Sequence, residues 1–115
     1  MSEGQQDNYI TFEEFSKVEL RVGKVIQAEN IPGMTKVFKA RVDLGGEQRE
    51  LAVGGAMHYA PGDFVGRTVV VCTNLAPKKI GGIISHGMLL AADGPDGKPL
   101  FLTAEPEAAP GAPIH

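Results

Sequence analysis

Lys17-Val18-Glu19-Leu20-Arg21-Val22-Gly23-Lys24-Val25-Ile26 is the stretch that sets the fold class. Val18, Leu20 and Val22 alternate with Glu19, Arg21 and Gly23, the period of two expected of a half-buried strand. Gly23 interrupts the alternation before Val25 and Ile26 resume the apolar content. A glycine inside a strand predicts a bulge or sharp coil, which lets one strand serve both halves of a small barrel. Upstream, Thr11-Phe12-Glu13-Glu14-Phe15 has capping-box spacing and predicts the start of a short helix. Phe12 and Phe15 share one face of that turn and are expected to dock it onto the domain. Residues 1–8 are polar and expected to fray.

Downstream, Ile31-Pro32-Gly33-Met34 reads as a turn. A second strand follows over 37–44, with Phe38, Ala40, Val42 and Leu44 on one face and Lys39, Arg41 and Asp43 on the other. Gly45-Gly46 supplies a two-residue hairpin, and a third strand returns over 47–53. Gly54-Gly55 ends it, and a connection with one helical turn runs through Tyr59-Ala60-Pro61-Gly62. Residues 68–74 form a continuous apolar strand, 77–82 a basic loop, and 83–92 the last barrel strand. Asp93-Gly94-Pro95-Asp96-Gly97 is a dense turn signal, and Leu100-Phe101-Leu102 adds a short strand. The division is an N-terminal segment (1–14), a barrel (15–103) and a Pro- and Ala-rich, extended C-terminal extension (104–115). Five strands with a long link between the third and fourth fit an all-β, five-stranded Greek-key barrel of the OB type. An SH3-like barrel competes at this length, and periodicity alone does not separate them.

One domain is all that 115 residues allow, and a 43% hydrophobic share is enough for a core. With 15 Gly and 8 Pro against 5 Phe, 2 Tyr and no Trp, short strands are favoured over long helices. Cys72 is the single cysteine and lies in the apolar run Val69-Val70-Val71-Cys72, where it reads as a buried small hydrophobe. No leader and no apolar run approaching a membrane span are recognised, so a cytoplasmic protein without a membrane partner is expected. The net charge of -3 does not announce a nucleic-acid binder. Acids nevertheless concentrate near the ends, whereas Lys36, Lys39, Arg41, Arg67, Lys78 and Lys79 lie in the middle, so a locally basic face is possible.

Catalysis finds no support. His58, His86 and His115 have no metal-ligand spacing with one another or with Cys72 and read as surface histidines. Ser85 and His86 are strand neighbours pointing to opposite faces, so they do not form a nucleophile–base pair. The Gly-Gly pairs at 45–46, 54–55 and 81–82 lack phosphate-loop spacing. No catalytic residue, metal or cofactor is expected. Three clusters suit binding instead. Lys36, Lys39 and Arg41 form the first, although a solvated sheet face needs charges in any case. Asn74-Leu75-Ala76-Pro77-Lys78-Lys79 brings a side-chain amide, a stiff turn and two ammonium groups suited to a bent phosphate backbone. Ser85-His86-Gly87-Met88 offers a hydroxyl able to read a 2′-OH and a methionine able to pack on an unstacked base. Phe38, Tyr59 and Phe64 are the body's aromatics and none is paired with another, which argues against base stacking along single strands.

The segments 17–25, Lys36-Val37, Val42-Asp43-Leu44-Gly45-Gly46-Glu47, Asn74-Leu75-Ala76-Pro77-Lys78-Lys79 and Ser85-His86-Gly87-Met88-Leu89-Leu90-Ala91-Ala92 occur in an informative order. Together they strongly resemble the tRNA-binding domain appended to many bacterial methionyl-tRNA synthetases, with free-standing relatives and eukaryotic synthetase cofactors. The resemblance covers residues 15–114 and implies an OB fold, structure-specific tRNA binding and a homodimer. It implies tRNA contacts at Lys36, Asn74, Lys78, Ser85 and Met88; Lys39 and Lys79 are added from their place in the strand and loop. With no synthetase body on this chain, it resembles the free-standing members and is expected to act in trans, with an aminoacyl-tRNA synthetase as further partner. A related branch resembles a secretion-associated chaperone, so a peptide-binding dimer is the alternative. Three departures point to weaker or more salt-sensitive binding. Gly54-Gly55 stands where Ser-Gly is frequent, Lys78 where Arg is frequent, and the tail ends Pro113-Ile114-His115 without a closing cation.

Overall fold

A computed structural model describes residues 8–115. The stretch expected to fray lies, apart from Asn8, outside the described residues. Strand β1 (Leu20–Asn30) is the hub. Its first half pairs with β4 (Thr68–Cys72), Leu20 opposite Cys72, and its second half pairs with β2 (Val37–Asp43), Ala28 opposite Ala40. Strand β3 (Gln48–Gly54) returns beside β2, and the order runs β3-β2-β1-β4-β7, where β7 is Met88–Leu89. Two bonds then bring the ends of this order together. The Ala52 amide donates to Ser85 Oγ at 3.0 Å, and the His86 amide donates to the Glu50 carbonyl at 3.0 Å. With the short helix α2 (Pro61–Phe64) between β3 and β4, this is the OB arrangement and not the SH3-like one.

The alternation in 37–44 is realised as written: Phe38, Ala40, Val42 and Leu44 are buried, and their neighbours are partly exposed. They meet Val25, Leu51, Val53, Val69 and Val71 in one core, each large apolar side chain contributing about 1.5–3 kcal/mol through burial. Phe64 closes one end of the barrel. Its ring lies 5.2 Å from that of Phe38 and 5.0 Å from that of Phe101, both edge-to-face. Tyr59 joins this group, its hydroxyl donating to the Pro99 carbonyl at 2.8 Å. The aromatics expected to be unpaired thus meet one another, but as core rather than as a stacking platform.

Several elements depart from expectation. The ladder irregularity in β1 falls between Val25 and Gln27, not at Gly23. Gly23 serves close packing instead, since a Cβ there would lie 2.5 Å from Val42 Cγ1. The last strand is broken into β6 (Ile83–Ser85), β7 and β8 (Ala91–Asp93), with His86-Gly87 and Leu90 between them; Gly87 has a positive φ of 149°. The basic loop is itself a hairpin, β5 (Lys78–Ile80) pairing with β6 in the register Lys78–Ser85. The pair β8 and β9 (Pro99–Phe101) forms a separate ladder.

Helix α1 (Phe12–Phe15) has the expected capping box: the Glu14 amide donates to Thr11 Oγ1 at 3.0 Å, and the Thr11 amide to Glu14 Oε1 at 2.9 Å. It does not dock as expected. No residue of α1 is buried, and Phe12 is 83% exposed. The C-terminal extension, by contrast, is stitched into the barrel. Strand β10 (Pro113–Ile114) pairs with the start of β1, and the Gly111 amide donates to the Val22 carbonyl at 2.7 Å. Gly45 and Gly111 cross in contact, so that a Cβ on Gly111 would overlap the Leu44 carbonyl. The β2–β3 hairpin glycine and the tail glycine are each needed by the other.

Candidate functional site

The β5–β6 hairpin stands over β3 and β7 and encloses a cleft of about 420 Å³. Leu75, Ala76, Ile80 and Met88 give it apolar walls, Ala52 and Gly87 line it with them, and Lys78 and Ser85 complete it. No carboxylate is among these residues. Three other grooves among the described residues each contain at least one: Glu47 and Glu50 in the first, Asp93 in the second, Glu29 and Glu50 in the third. An apolar cleft with an ammonium group at its edge suits a ligand with an apolar or aromatic part and a negative charge.

The structure brings Lys78, Ser85 and Met88 to this one cleft. Lys79 is on the same hairpin strand, and strand alternation turns it to the opposite face. Among the described residues, Lys78, Lys79 and Lys36 make no ion pair. The remaining sites differ from their sequence-based picture. Ser85 is 5% exposed, and its hydroxyl accepts from the Ala52 amide while donating to the Gly87 carbonyl at 3.0 Å. It holds the cleft's floor together rather than presenting a free hydroxyl. Met88 is half exposed and keeps its side chain available. Lys36 lies in a different groove of about 310 Å³, with Met57, His58, Asp93 and Pro99. Gly54 and Gly55 line that same groove, so the hydroxyl missing there is missing beside Lys36. Lys39 reaches Glu29 at 3.2 Å and Glu50 at 3.8 Å, and Arg41 reaches Glu50 at 3.7 Å. The basic cluster on β2 is therefore largely neutralised in place.

Asn74 has its amide committed at both ends. Its Oδ1 accepts from the Glu19 amide at 2.8 Å, and its Nδ2 donates to the Lys17 carbonyl. Beside it, Arg49 Nη1 donates to the Thr73 carbonyl at 2.6 Å and to the His86 carbonyl at 3.3 Å, tying both ends of the segment that carries the hairpin. The sequence reading missed Arg49, Leu75 and Ile80. Ile80 carries a usable signal, since it alternates with Lys78 on one strand face; Arg49 carries none, because its partners are distant carbonyls. No group of three or more His, Cys, Asp or Glu side chains among the described residues could hold a metal ion.

The chain resembles known proteins over nearly its whole length. It is 46% identical over 109 residues to the methionine–tRNA ligase of Thermotoga maritima, which covers 95% of this chain and 17% of that protein. Against the methionine–tRNA ligase of Pyrococcus furiosus it is 44% identical over 112 residues, covering 96% and 15% respectively. The chain thus spans only a small part of the length of these relatives. In fold it matches a MetRS-related protein from Pyrococcus horikoshii with a TM-score of 0.88 and 34% identity, covering 94% of this chain and 99% of that one. It also matches the chaperone CsaA of Bacillus anthracis with a TM-score of 0.83 and 26% identity, covering 93% and 99%. The family model described as "Putative tRNA binding domain" matches residues 20–113, which takes in the barrel, the hairpin over the cleft and the tail that locks it. The chain belongs to the tRNA-binding domain family.

Proposed function

We propose that this chain binds folded tRNA as a non-catalytic homodimer in the cytoplasm, and holds it in trans for an aminoacyl-tRNA synthetase of the methionyl type. The observation that carries the reading is the β5–β6 hairpin. It projects two lysines, Lys78 and Lys79, with no ion pair among the described residues, beside a carboxylate-free cleft edged by Met88. Lysines free of ion pairs attract phosphates without first surrendering a partner, and the release of condensed counterions drives the association. Lys36 adds a third cation with no ion pair among the described residues. Ser85 and Asn74 shape the site through the backbone. Lys39 contributes little while Glu29 and Glu50 hold it.

The homodimer is supported by the exposed apolar residues of the N-terminal arm. Tyr9, Ile10, Phe12, Phe15 and Val18 are all exposed within one short segment, more than isolated surface apolar residues require. No helix among the described residues is long and apolar enough to cross a membrane. A second reading, a chaperone-like dimer holding peptides, is favoured by the apolar walls of the cleft and by the likeness to CsaA. Titration of folded tRNA at two salt concentrations, with an unstructured RNA of equal length as control, separates the two. Tighter, salt-sensitive binding of the folded RNA supports the first reading. Salt-independent binding of an apolar peptide, without RNA preference, supports the second.

A further inference from the structure

The segment 74–85, which carries Lys78 and Lys79, leaves the barrel at Thr73 and rejoins it at His86. One side chain binds both of these roots. Arg49 Nη1 donates to the Thr73 carbonyl at 2.6 Å and to the His86 carbonyl at 3.3 Å. The other guanidinium nitrogens turn to Glu47, Nε donating to Oε2 at 3.3 Å and Nη2 to Oε1 at 3.4 Å. A planar fork holds a carboxylate and two carbonyls at once, a division that a single ammonium group does not match. The far end of the hairpin is propped as well. Met34 lies against Gly81, so close that a Cβ there would come within 2.9 Å of Met34 Cγ, and Gly81 has a positive φ of 58°. Lys78 and Lys79 thus sit between a clasp at the roots and a rest at the tip.

Arg49 is itself poorly placed to meet phosphate. Glu47 already neutralises it, and the groove it lines also contains Glu50. We propose that Arg49 is a positioning residue for RNA, clasping the hairpin roots so that Lys78 and Lys79 meet phosphates from a fixed place and folded RNA is preferred. This rests on the tRNA-binding reading. A folded RNA presents its phosphates at set positions, and matching them with mobile lysines costs ordering on binding. An unstructured RNA adapts to the lysines wherever they are, so it loses less when the clasp opens.

Arg49→Gln on the full chain tests this, below the temperature at which the variant unfolds. Folded tRNA and an unstructured RNA of equal length are titrated across salt, and hydrogen exchange is followed over residues 78–85. Folded tRNA is expected to bind about tenfold more weakly and the unstructured RNA about twofold. The salt slope for folded tRNA stays as in the wild type, because the same phosphates are met once the hairpin is ordered. Exchange over residues 78–85 accelerates. Arg49→Gln with Glu47→Gln, which restores the net charge, is expected to show the same losses. If glutamine prevents folding, Arg49→Lys keeps the charge without the fork, and is expected to lose about threefold for folded tRNA at an unchanged slope. A slope shallower by about 0.7–0.9, with both RNAs losing alike, makes Arg49 a phosphate contact and overturns the proposal. Recovery of affinity in the charge-restored variant overturns it by reducing the effect to net charge. Unchanged affinity and preference in a folded variant overturn it too, leaving Arg49 a support of the barrel alone. A wild-type chain that binds no tRNA removes the functional reading and the proposal with it.

Discussion

Replacing Lys78 and Lys79 together by alanine tests the electrostatic reading most directly, because the structure fixes how many free cations remain. Of the lysines proposed to meet phosphate, Lys36, Lys78 and Lys79 have no carboxylate partner among the described residues, whereas Lys39 has two. Each phosphate neutralised contributes about −0.7 to −0.9 to the slope of log K against log salt, the smaller figure for single strands. Three contacts therefore give a slope of about −2.1 to −2.7, and a loss of about 20- to 40-fold between ~50 mM and ~200 mM salt. With only Lys36 left, the slope falls to about −0.7 to −0.9, and the same salt change costs about threefold. Fluorescence anisotropy with labelled tRNA, repeated across salt, measures both slopes. The two lysines sit on an exposed hairpin, so thermal stability is expected to stay unchanged. A double variant that keeps the wild-type slope would refute the assignment of the hairpin as the phosphate-contacting element, whatever happened to absolute affinity.

Three further outcomes follow from particular contacts. Lys39→Ala should change tRNA affinity less than Lys78→Ala in the same assay; an equal loss would mean the Glu29 and Glu50 pairs open on binding. Gly111→Ala should cost about 1–3 kcal/mol in urea denaturation, because the new Cβ meets the Leu44 carbonyl at a positive φ of 93°. An unchanged midpoint would show that the tail does not hold the hairpin. Phe64→Ala, which empties the barrel's plug, should cost about 3–5 kcal/mol by the same method, and a loss below ~1 kcal/mol would mean the barrel end collapses onto the gap.

The parts of the fold that were readable from the sequence are those decided by near neighbours. The Phe38–Leu44 alternation, the Thr11–Glu14 capping box and the Gly45-Gly46 turn each need only a few consecutive residues, and each forms as written. What failed depends on partners far along the chain. The sequence offers the Ser85 hydroxyl to a ligand, since nothing local shows that the Ala52 amide lies against it. Sequence alternation places Lys39 on the outer face of the second strand, but its neutralisation needs the register of β1 and β3 on either side of β2. A bulge at Gly23 is the natural local expectation, since nothing nearby in the sequence signals that its missing side chain makes room for Val42. Lys78 and Met88, which belong to separate clusters in the sequence, converge on one cleft because β5 and β6 pair as a hairpin. Lys36, further back in the chain, lands in a neighbouring groove because the β2 start lies against the 54–58 turn and not against the hairpin.

The pairing of β10 with the first residues of β1 has a consequence for how the chain acquires its structure. Leu20 meets Ile114, so the earliest part of the hub strand waits for a segment about 90 residues further along the chain. Contacts that distant slow folding, because the loop must close before the ladder rewards it. Until residues 110–114 arrive, the barrel can form around β1 but leaves a row of unpaired amides and carbonyls along its first turn. An open strand edge of that kind recruits other chains. The tail therefore acts late in folding as a guard of that edge, and a chain arrested just short of Pro110 should be the form most prone to aggregate.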